Sequence, residues 1–438
     1  MKQEIKVLNE EEKSLKPAFY EPSVCMCTPD NPNTMGVCVT LTEPVNGAIL
    51  HEAVERLRER FYYFYVRVKL DGNNLIVVPN DLPVVIRDTW DPILLCSAEA
   101  NYHLLSFKYE GNRLTAEISH SITDGAGFLP YFKSLLYYYL STITGQELDP
   151  SGFRLLGDEI PDAETGNPFA GLDLDAAEEP LYQKPPVTDY FRLGNPEENG
   201  KRECTAFYLR FPEEQVMQYC KENDGSPNVL FSVLLAKAAR RYDPADEKTV
   251  SCLISVDMKS QLGNHENYRM FIDTAYVDMP KEQDDYDIPK ACTKARGQLI
   301  LQAQPENVMY TLKTRKAGYE KMEQMPLQMC VDVLKPALGA HRASFCVSYA
   351  NSRSFGPLDP YIQEIYLLSE PNVTDVMVEL SCINHHFFAM FGQPFSSEEF
   401  FRAFLAELDD AGIPYEIMRK EPFRLCGVRY DDIEGVRL

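Results

Sequence analysis

Along the chain, short runs of alternating apolar residues interleave with longer stretches whose apolar residues recur every three or four positions. MGVCVTLT has the first rhythm and predicts a strand, while AILHEAVERLRERF has the second and predicts an amphipathic helix. FYVRVKL, NLIVVP and LPVVIRD predict three further strands. LLSFKYE and RLTAEISH predict two more, joined at Gly111 and Asn112 by a hairpin turn. A helix is expected from about Asp124 to Leu140, with Phe128, Phe132, Leu135, Leu136 and Tyr139 on one face.

The mixture then repeats. CTAFYLRF predicts a strand, a helix follows, and SPNVLFSVLLAKAARR predicts a second. The strands TVSCLISVDM and MFIDTAYVDM precede helices between about Ile288 and Leu338. ASFCVSYA, YIQEIYLL, TDVMVELSC and HHFFAMFG are strands, and SSEEFFRAFLAELDDAG closes the series as a helix. Between the two stretches, Leu156 to Arg202 is rich in Pro, Gly, Asp and Glu and predicts a crossover running over the surface. The expected organisation is a first half at 1–155, a crossover at 156–202 and a second half at 203–438. A chain of 438 residues also exceeds the size at which one core stops growing.

With 45% hydrophobic and 25% charged residues, the chain is composed like an ordinary globular protein. Its net charge of −23 repels phosphate backbones and anionic lipid surfaces, so no nucleic-acid or membrane partner is expected. The opening MKQEIKVLNEEEKSLK lacks the apolar core of a signal peptide, and no apolar run is long enough to span a bilayer. A cytoplasmic location is expected. The 12 cysteines lie mostly in apolar runs and are expected to be reduced core residues. Cys25 and Cys27 form a C-x-C pair without the second pair of a structural zinc site, so no metal is expected.

Candidate chemistry concentrates in EISHSITDGAGF. His120 ends a strand, a rigid place to hold a reactive side chain, and Asp124 lies where it can cap the next helix or fix the loop. Gly125 suits a close backbone approach or a positive φ. A satisfied histidine before an ordinary N-cap would produce the same six residues, so the motif alone does not establish a reaction.

The segments RFYYFYVRVK, HSITDGAGF with LLYYYL, SPNVLFSVLLAKA, ISVDMKSQLGNHENYR and FCVSYANSRSFGPLDPYI extend the pattern over most of the chain. Together they resemble the superfamily of chloramphenicol acetyltransferase, non-ribosomal-peptide condensation domains and plant BAHD acyltransferases, most of all bacterial alcohol acetyltransferase-like proteins. The resemblance implies two similar α/β sandwich halves forming a pseudo-dimer, with a tunnel between them and His120 near its middle. It implies that His120 is the general base and that Asp124 is structural, paired with a basic residue from elsewhere. Relatives often carry Arg where this chain has Lys259, so the guanidinium fork is replaced by a single ammonium.

Lys313, Arg315 and Lys316 cluster in an acidic chain and are candidates for the phosphates of coenzyme A, although such runs are more often solvated helix faces. His385 and His386 are expected to point to opposite faces of a strand and to share no metal. Tyr62, Tyr63, Tyr65 and Tyr137 to Tyr139 are expected in core and rim. Nucleotide-binding, serine-hydrolase and zinc-protease motifs are absent from the sequence. The resulting expectation is an acyltransferase using acyl-CoA as co-substrate, acetyl-CoA among the donors, and a hydroxyl of a small acceptor. Two alternatives stay open: a condensation enzyme drawing on a carrier protein, and a catalytically silent member binding a ligand or partner.

Overall fold

The computed structural model describes residues 33–71, 74–180, 183–184, 187–193, 204–338, 342–350 and 354–428. Cys25 and Cys27 lie outside the described residues. The first stretch holds β1 (Thr34–Leu41), α1 (Gly47–Arg56), β2 (Val66–Asp71), β3 (Asn74–Pro79), β4 (Ile86–Asp88), β5 (Leu105–Glu110), β6 (Arg113–Ser119) and α2 (Gly125–Thr144). A short α3 (Asp162–Thr165) lies in the crossover. The second stretch contributes β7 (Thr205–Pro212), α4 (Glu213–Glu222), α5 (Pro227–Tyr242), β8 (Val250–Asp257), α6 (Met258–Leu262) and β9 (Ile272–Met279). It continues with α7 (Ile288–Gln302), α8 (Pro305–Glu323), α9 (Leu327–Leu338), β10 (Phe345–Tyr349), β11 (Ile362–Ser369), β12 (Val376–Ile383) and β13 (His386–Gln393). It ends with α10 (Glu399–Asp410) and β14 (Glu416–Pro422), a strand the apolar pattern did not announce.

A five-stranded sheet runs β11-β1-β6-β5-β4 and a seven-stranded sheet runs β14-β7-β13-β12-β10-β8-β9. The sheets do not follow the division expected at 155 and 203. β11 leaves the second stretch to pair antiparallel with β1, Val37 opposite Leu367, and so completes the first sheet. The segment after β14 returns to that sheet as well: Thr34 donates to the Cys426 carbonyl at 2.5 Å, Cys426 N donates to Glu117 at 2.9 Å, and Val428 bridges Leu95. Glu117 also meets Lys108 in a buried ion pair at 2.6 Å.

Each sheet packs helices on one face. α5 and α10 cover the second sheet, burying Phe231, Leu234, Phe400 and Phe404 against Phe345, Val347, Val378 and Phe391. α2 is long because its apolar residues fall on one side, and it ends where Gly145 takes φ of 66° and can close a C-cap without a Cβ clash. The crossover is not confined to the surface: Glu164 is 2% exposed, and Phe169 and Leu174 pack with Met258, Phe271 and Leu312. The ten described cysteines are buried thiols outside any disulfide, as their apolar surroundings predict.

Asn384 and His385, both at positive φ, form the two-residue turn between β12 and β13, in which Ile383 faces His386. The structure corrects the expectation for this histidine pair: His385 is in the turn and only His386 begins the strand, its Nδ1 2.8 Å from the Asn384 carbonyl.

Candidate active site

β6 and α2 hold the five-residue turn that carries the motif. His120 N donates to the Asn33 carbonyl at 2.7 Å, fixing the backbone where the strand stops. The half-buried imidazole returns to its own loop, with Nδ1 2.8 Å from the Thr123 carbonyl. A carbonyl only accepts, so Nδ1 carries the proton of the neutral ring and Nε2 carries the lone pair. Ser121 is fully buried, its Oγ 2.6 Å from Ser119 Oγ, so it packs inside the turn. Tyr63 donates to the Ile122 carbonyl at 2.5 Å, a buried role that fits the core reading of this tyrosine.

Asp124 caps α2, its Oδ1 accepting from Gly127 N at 2.9 Å. The same oxygen takes the ammonium of Lys259 at 2.5 Å, and Oδ2 accepts from Phe271 N at 2.8 Å. Both side chains of this pair are almost wholly buried, at 2% and 1% exposure. A guanidinium could span both carboxylate oxygens. Here Lys259 serves one, the Phe271 amide serves the other, and a spare ammonium hydrogen reaches the Arg269 carbonyl at 3.2 Å. Lys259 reaches this position because Asp257 caps the short α6, accepting from Lys259 N at 3.0 Å.

The expectation for Gly125 is corrected. Its φ is not positive, and a Cβ there would meet nothing within 4 Å. The close approach is two residues later. A Cβ on Gly127 would fall inside contact distance of the Tyr268 carbonyl oxygen and the Thr123 hydroxyl, which donates to that same carbonyl at 2.7 Å. The crossover reinforces the contact: Glu164 accepts from Tyr268 OH at 2.7 Å and from Arg60 at 2.7 Å, with Arg154 at 3.2 Å. Burial pushes the Glu164 carboxyl up, yet the hydrogen bonds from Arg60 and Tyr268 and the nearby Arg154 charge hold it below the usual range.

Two cavities meet beside the motif. One, of about 580 Å³, has Asp124, Gly125 and Ala126 on the motif side and Ser255, Ser348 and Leu367 opposite. The His120 ring is not among its lining residues. The other, of about 800 Å³, lies between β8, β9 and α8, and its wall includes Arg315 and Lys184. Ser255, Asp257 and Ser260 line both cavities, so the two are contiguous along one edge of β8 and α6.

The basic cluster does not converge on an open anion site. Lys313 donates to the carbonyls of Asp175 and Ala177 at 3.1 and 2.7 Å, Arg315 pairs with Asp273 at 2.6 Å, and Lys316 faces Glu320 at 3.5 Å. Of the three, Arg315 is the one in the wall of these two cavities. Lys133 lines the smaller one. It donates to the Ser354 carbonyl at 3.0 Å, and burial pushes its ammonium pKa down. Sequence reasoning missed Ser255, Lys133, Arg154 and His265 and assigned no role to Ser348, all in the smaller cavity's wall. For the two serines a signal existed: each follows three apolar residues in a row, Cys252–Ile254 and Phe345–Val347. No group of His, Cys, Asp and Glu suited to a metal occurs among the described residues.

No protein-family model and no curated protein sequence matches the chain. Solved structures do. The trichothecene 15-O-acetyltransferase TRI3 from Fusarium sporotrichioides superposes with a TM-score of 0.59 at 9% identity, over 93% of this chain and 97% of that one. TRI101 from F. graminearum, crystallised with coenzyme A and deoxynivalenol, gives 0.57 at 13% identity, over 90% and 98%. The condensation domain of the monacolin K polyketide synthase MokA gives 0.53 at 12% identity, over 91% and 96%. The chain therefore has the two-lobed fold of these two acetyltransferases and this condensation domain.

Proposed function

We propose that the chain transfers an acyl group from a coenzyme A thioester to a hydroxyl of a small acceptor, with His120 as general base. The observation that supports this reading is the contact of His120 Nδ1 with the Thr123 carbonyl at 2.8 Å, which leaves Nε2 of the neutral ring as the atom that can take a proton. The acceptor hydroxyl attacks the thioester carbon as Nε2 takes its proton. The tetrahedral species then expels the thiolate, which recovers that proton from the imidazolium. Ester and thiol leave, and no acyl-enzyme forms. The Asp124–Lys259 pair is a positioning device: it ties the turn to α6 and β9 and neutralises a charge that would otherwise sit alone in the core.

TRI101 was crystallised with coenzyme A and a small toxin, which supports a coenzyme A donor and a hydroxylated acceptor here. The larger cavity, with Arg315 and Lys184 in its wall, offers the donor arm its room. Both cations are held by aspartates, Asp273 and Asp278, so they leave the wall near neutral. That favours the uncharged pantetheine arm inside and the phosphates at the mouth. The same arm is presented by a carrier protein, and the likeness to a condensation domain supports this as the second reading.

The test is thiol release from acetyl- and longer acyl-CoA with a panel of alcohols and amines. The wild type should turn over at least one pair, and His120→Ala should lose about 10²–10⁴-fold in kcat, the range for a general base. Equal rates for the two proteins across the panel would sink the proposal, and turnover only with carrier-bound thioesters would transfer it to the second reading.

A further inference from the structure

The smaller cavity runs along one face of α2. Gly125, Ala126, Leu129, Pro130 and Lys133 all line it, at the spacing that brings successive turns to one side of a helix. The stripe is ordered: the motif at one end, an apolar middle, and an ammonium at the other. Helical rise puts Lys133 about 12 Å beyond Gly125, and a helical side chain leans back towards the N-terminus, so about 6–12 Å separates its charge from the motif end. Ile272, Ala350 and Leu367 add to the apolar lining.

The charges in this wall are not alike. Asp124 is matched by Lys259, and Arg154 by Glu164 at 3.2 Å. Asp257, at the seam with the larger cavity, accepts from Lys259 N at 3.0 Å and Ser260 Oγ at 2.5 Å. His265 is exposed. Half-buried Lys133 has no carboxylate partner among the described residues. It gives one hydrogen to the Ser354 carbonyl at 3.0 Å and lies 4.6 Å from the centre of the Phe355 ring, which leaves two of its three hydrogens to give. Asp359, the acid whose field reaches it, is engaged by Ser354 Oγ at 2.6 Å and Phe355 N at 2.5 Å. An ammonium taken from water without a counter-ion is costly, and a carboxylate on a ligand offsets that cost. One positive charge balances one negative charge, so a carboxylate fits better than a phosphate dianion.

We propose that the acceptor is a hydroxy acid, its hydroxyl at the motif end of this cavity, its apolar body along Ala126, Leu129 and Pro130, and its carboxylate on Lys133. This deepens the acyl-transfer reading and rests on it. Asp257 repels an acid that enters the other way round, which keeps the carboxylate away from the seam with the larger cavity. The carboxylate is not a reactant. The hydroxyl oxygen bonds to the acyl carbon, the C–S bond breaks, and the hydroxyl proton passes through His120 to the thiolate. The products are an acyloxy acid and a free thiol. Acids whose hydroxyl adjoins the carboxylate are too short to reach both ends.

The test sets hydroxypropanoate, hydroxyhexanoate and hydroxydecanoate, each with its hydroxyl at the far end, and hydroxyphenylacetate against their methyl esters. Acetyl- and longer acyl-CoA are the donors, and wild type, Lys133→Met and Lys133→Arg are compared. In wild type, kcat/KM should favour a mid-length acid over its ester by about 10–100-fold, the worth of a charged hydrogen bond. Lys133→Met should lose that preference through a raised KM for the acid, with the KM for acyl-CoA within about threefold of wild type, and Lys133→Arg should restore most of it. The proposal is overturned by a wild type without the preference, or by a preference that survives Lys133→Met. A rise in the KM for acyl-CoA instead also overturns it, by giving Lys133 to the donor's phosphates. Calorimetric binding of the same acids without donor separates recognition from reaction. Acids held about tenfold more tightly by wild type than by Lys133→Met, with no pair turned over, keep the acid site and remove acyl transfer. Turnover of neutral alcohols with no preference for acids does the reverse.

Discussion

At the scale of single residues, two glycines of one motif have opposite fates. Gly125 faces open space, so Gly125→Ala should melt within about 0.5 kcal/mol of wild type, the usual range for a substitution away from packing. Gly127→Ala pushes a methyl group into the Tyr268 carbonyl and should cost about 1–3 kcal/mol, measured by urea unfolding. The sequence pointed to Gly125 because it adjoins Asp124. The Tyr268 strand-entry loop that makes Gly127 indispensable lies over a hundred residues away, beyond the reach of local spacing. A second residue-scale effect is His103, fully buried with Nε2 2.7 Å from the Leu82 carbonyl, where burial lowers its pKa from 6.5 to about 4. Between those values the unfolded chain binds a proton that the folded chain refuses. Stability is therefore complete above about pH 6.5 and drains away as the pH falls to about 4, by up to about 3 kcal/mol. His103→Gln keeps a donor for Leu82 without titrating, so its unfolding free energy should fall less between pH 7 and pH 4.5. An identical fall in both proteins would contradict the assignment.

Elements were the most legible level. The alternating runs and the amphipathic stretches correspond closely to β1, α1, β5, β6, α2 and most of the elements after them, because each buries one face and periodicity reports burial directly. β14 escaped since its residues, EIMRKEP, stay largely exposed on an edge and carry no apolar rhythm. The β12–β13 hairpin shows the complementary case, a turn whose residues are only half suited to it. Asn384 tolerates φ of 49°, but His385 adopts 62° with its side chain exposed at 97%. His385→Gly should raise the unfolding free energy by about 0.5–1 kcal/mol, because the turn needs positive φ at both positions and glycine takes it without strain. No gain in a urea titration would mean that the contact with Glu213, at 3.9 Å, offsets the relief.

For the whole molecule, sequence reading anticipated two lobes but not the strand they exchange. Long-range pairing leaves no local trace: β11 has the same apolar character whichever sheet receives it. The candidate site was legible to the same depth. The turn from His120 to Asp124 could be read from the motif and Lys259 as a possible partner from the family resemblance, whereas the cavity wall that sets Ser255 and Ser348 beside Asp124 needs the register of distant strands. The exchange couples the lobes, so they should unfold together. Trp90 is the single tryptophan and sits by the first sheet, with Arg113 4.0 Å above its ring. Its fluorescence and the far-UV circular dichroism should therefore follow one coincident transition. Two separated midpoints would show that the lobes melt apart.

The strand exchange also sets a timetable for the growing chain. β1 is formed by residue 41, but the partner that covers its free edge ends at residue 369. At about 5–20 residues per second, that edge of unpaired amides waits on the order of tens of seconds during synthesis. Through that interval the nascent chain presents a strand that the finished molecule buries along its whole length to any neighbour able to add one of its own. Crowded polysomes or fast overexpression should therefore be where this protein is lost to aggregation, even when the finished molecule is stable.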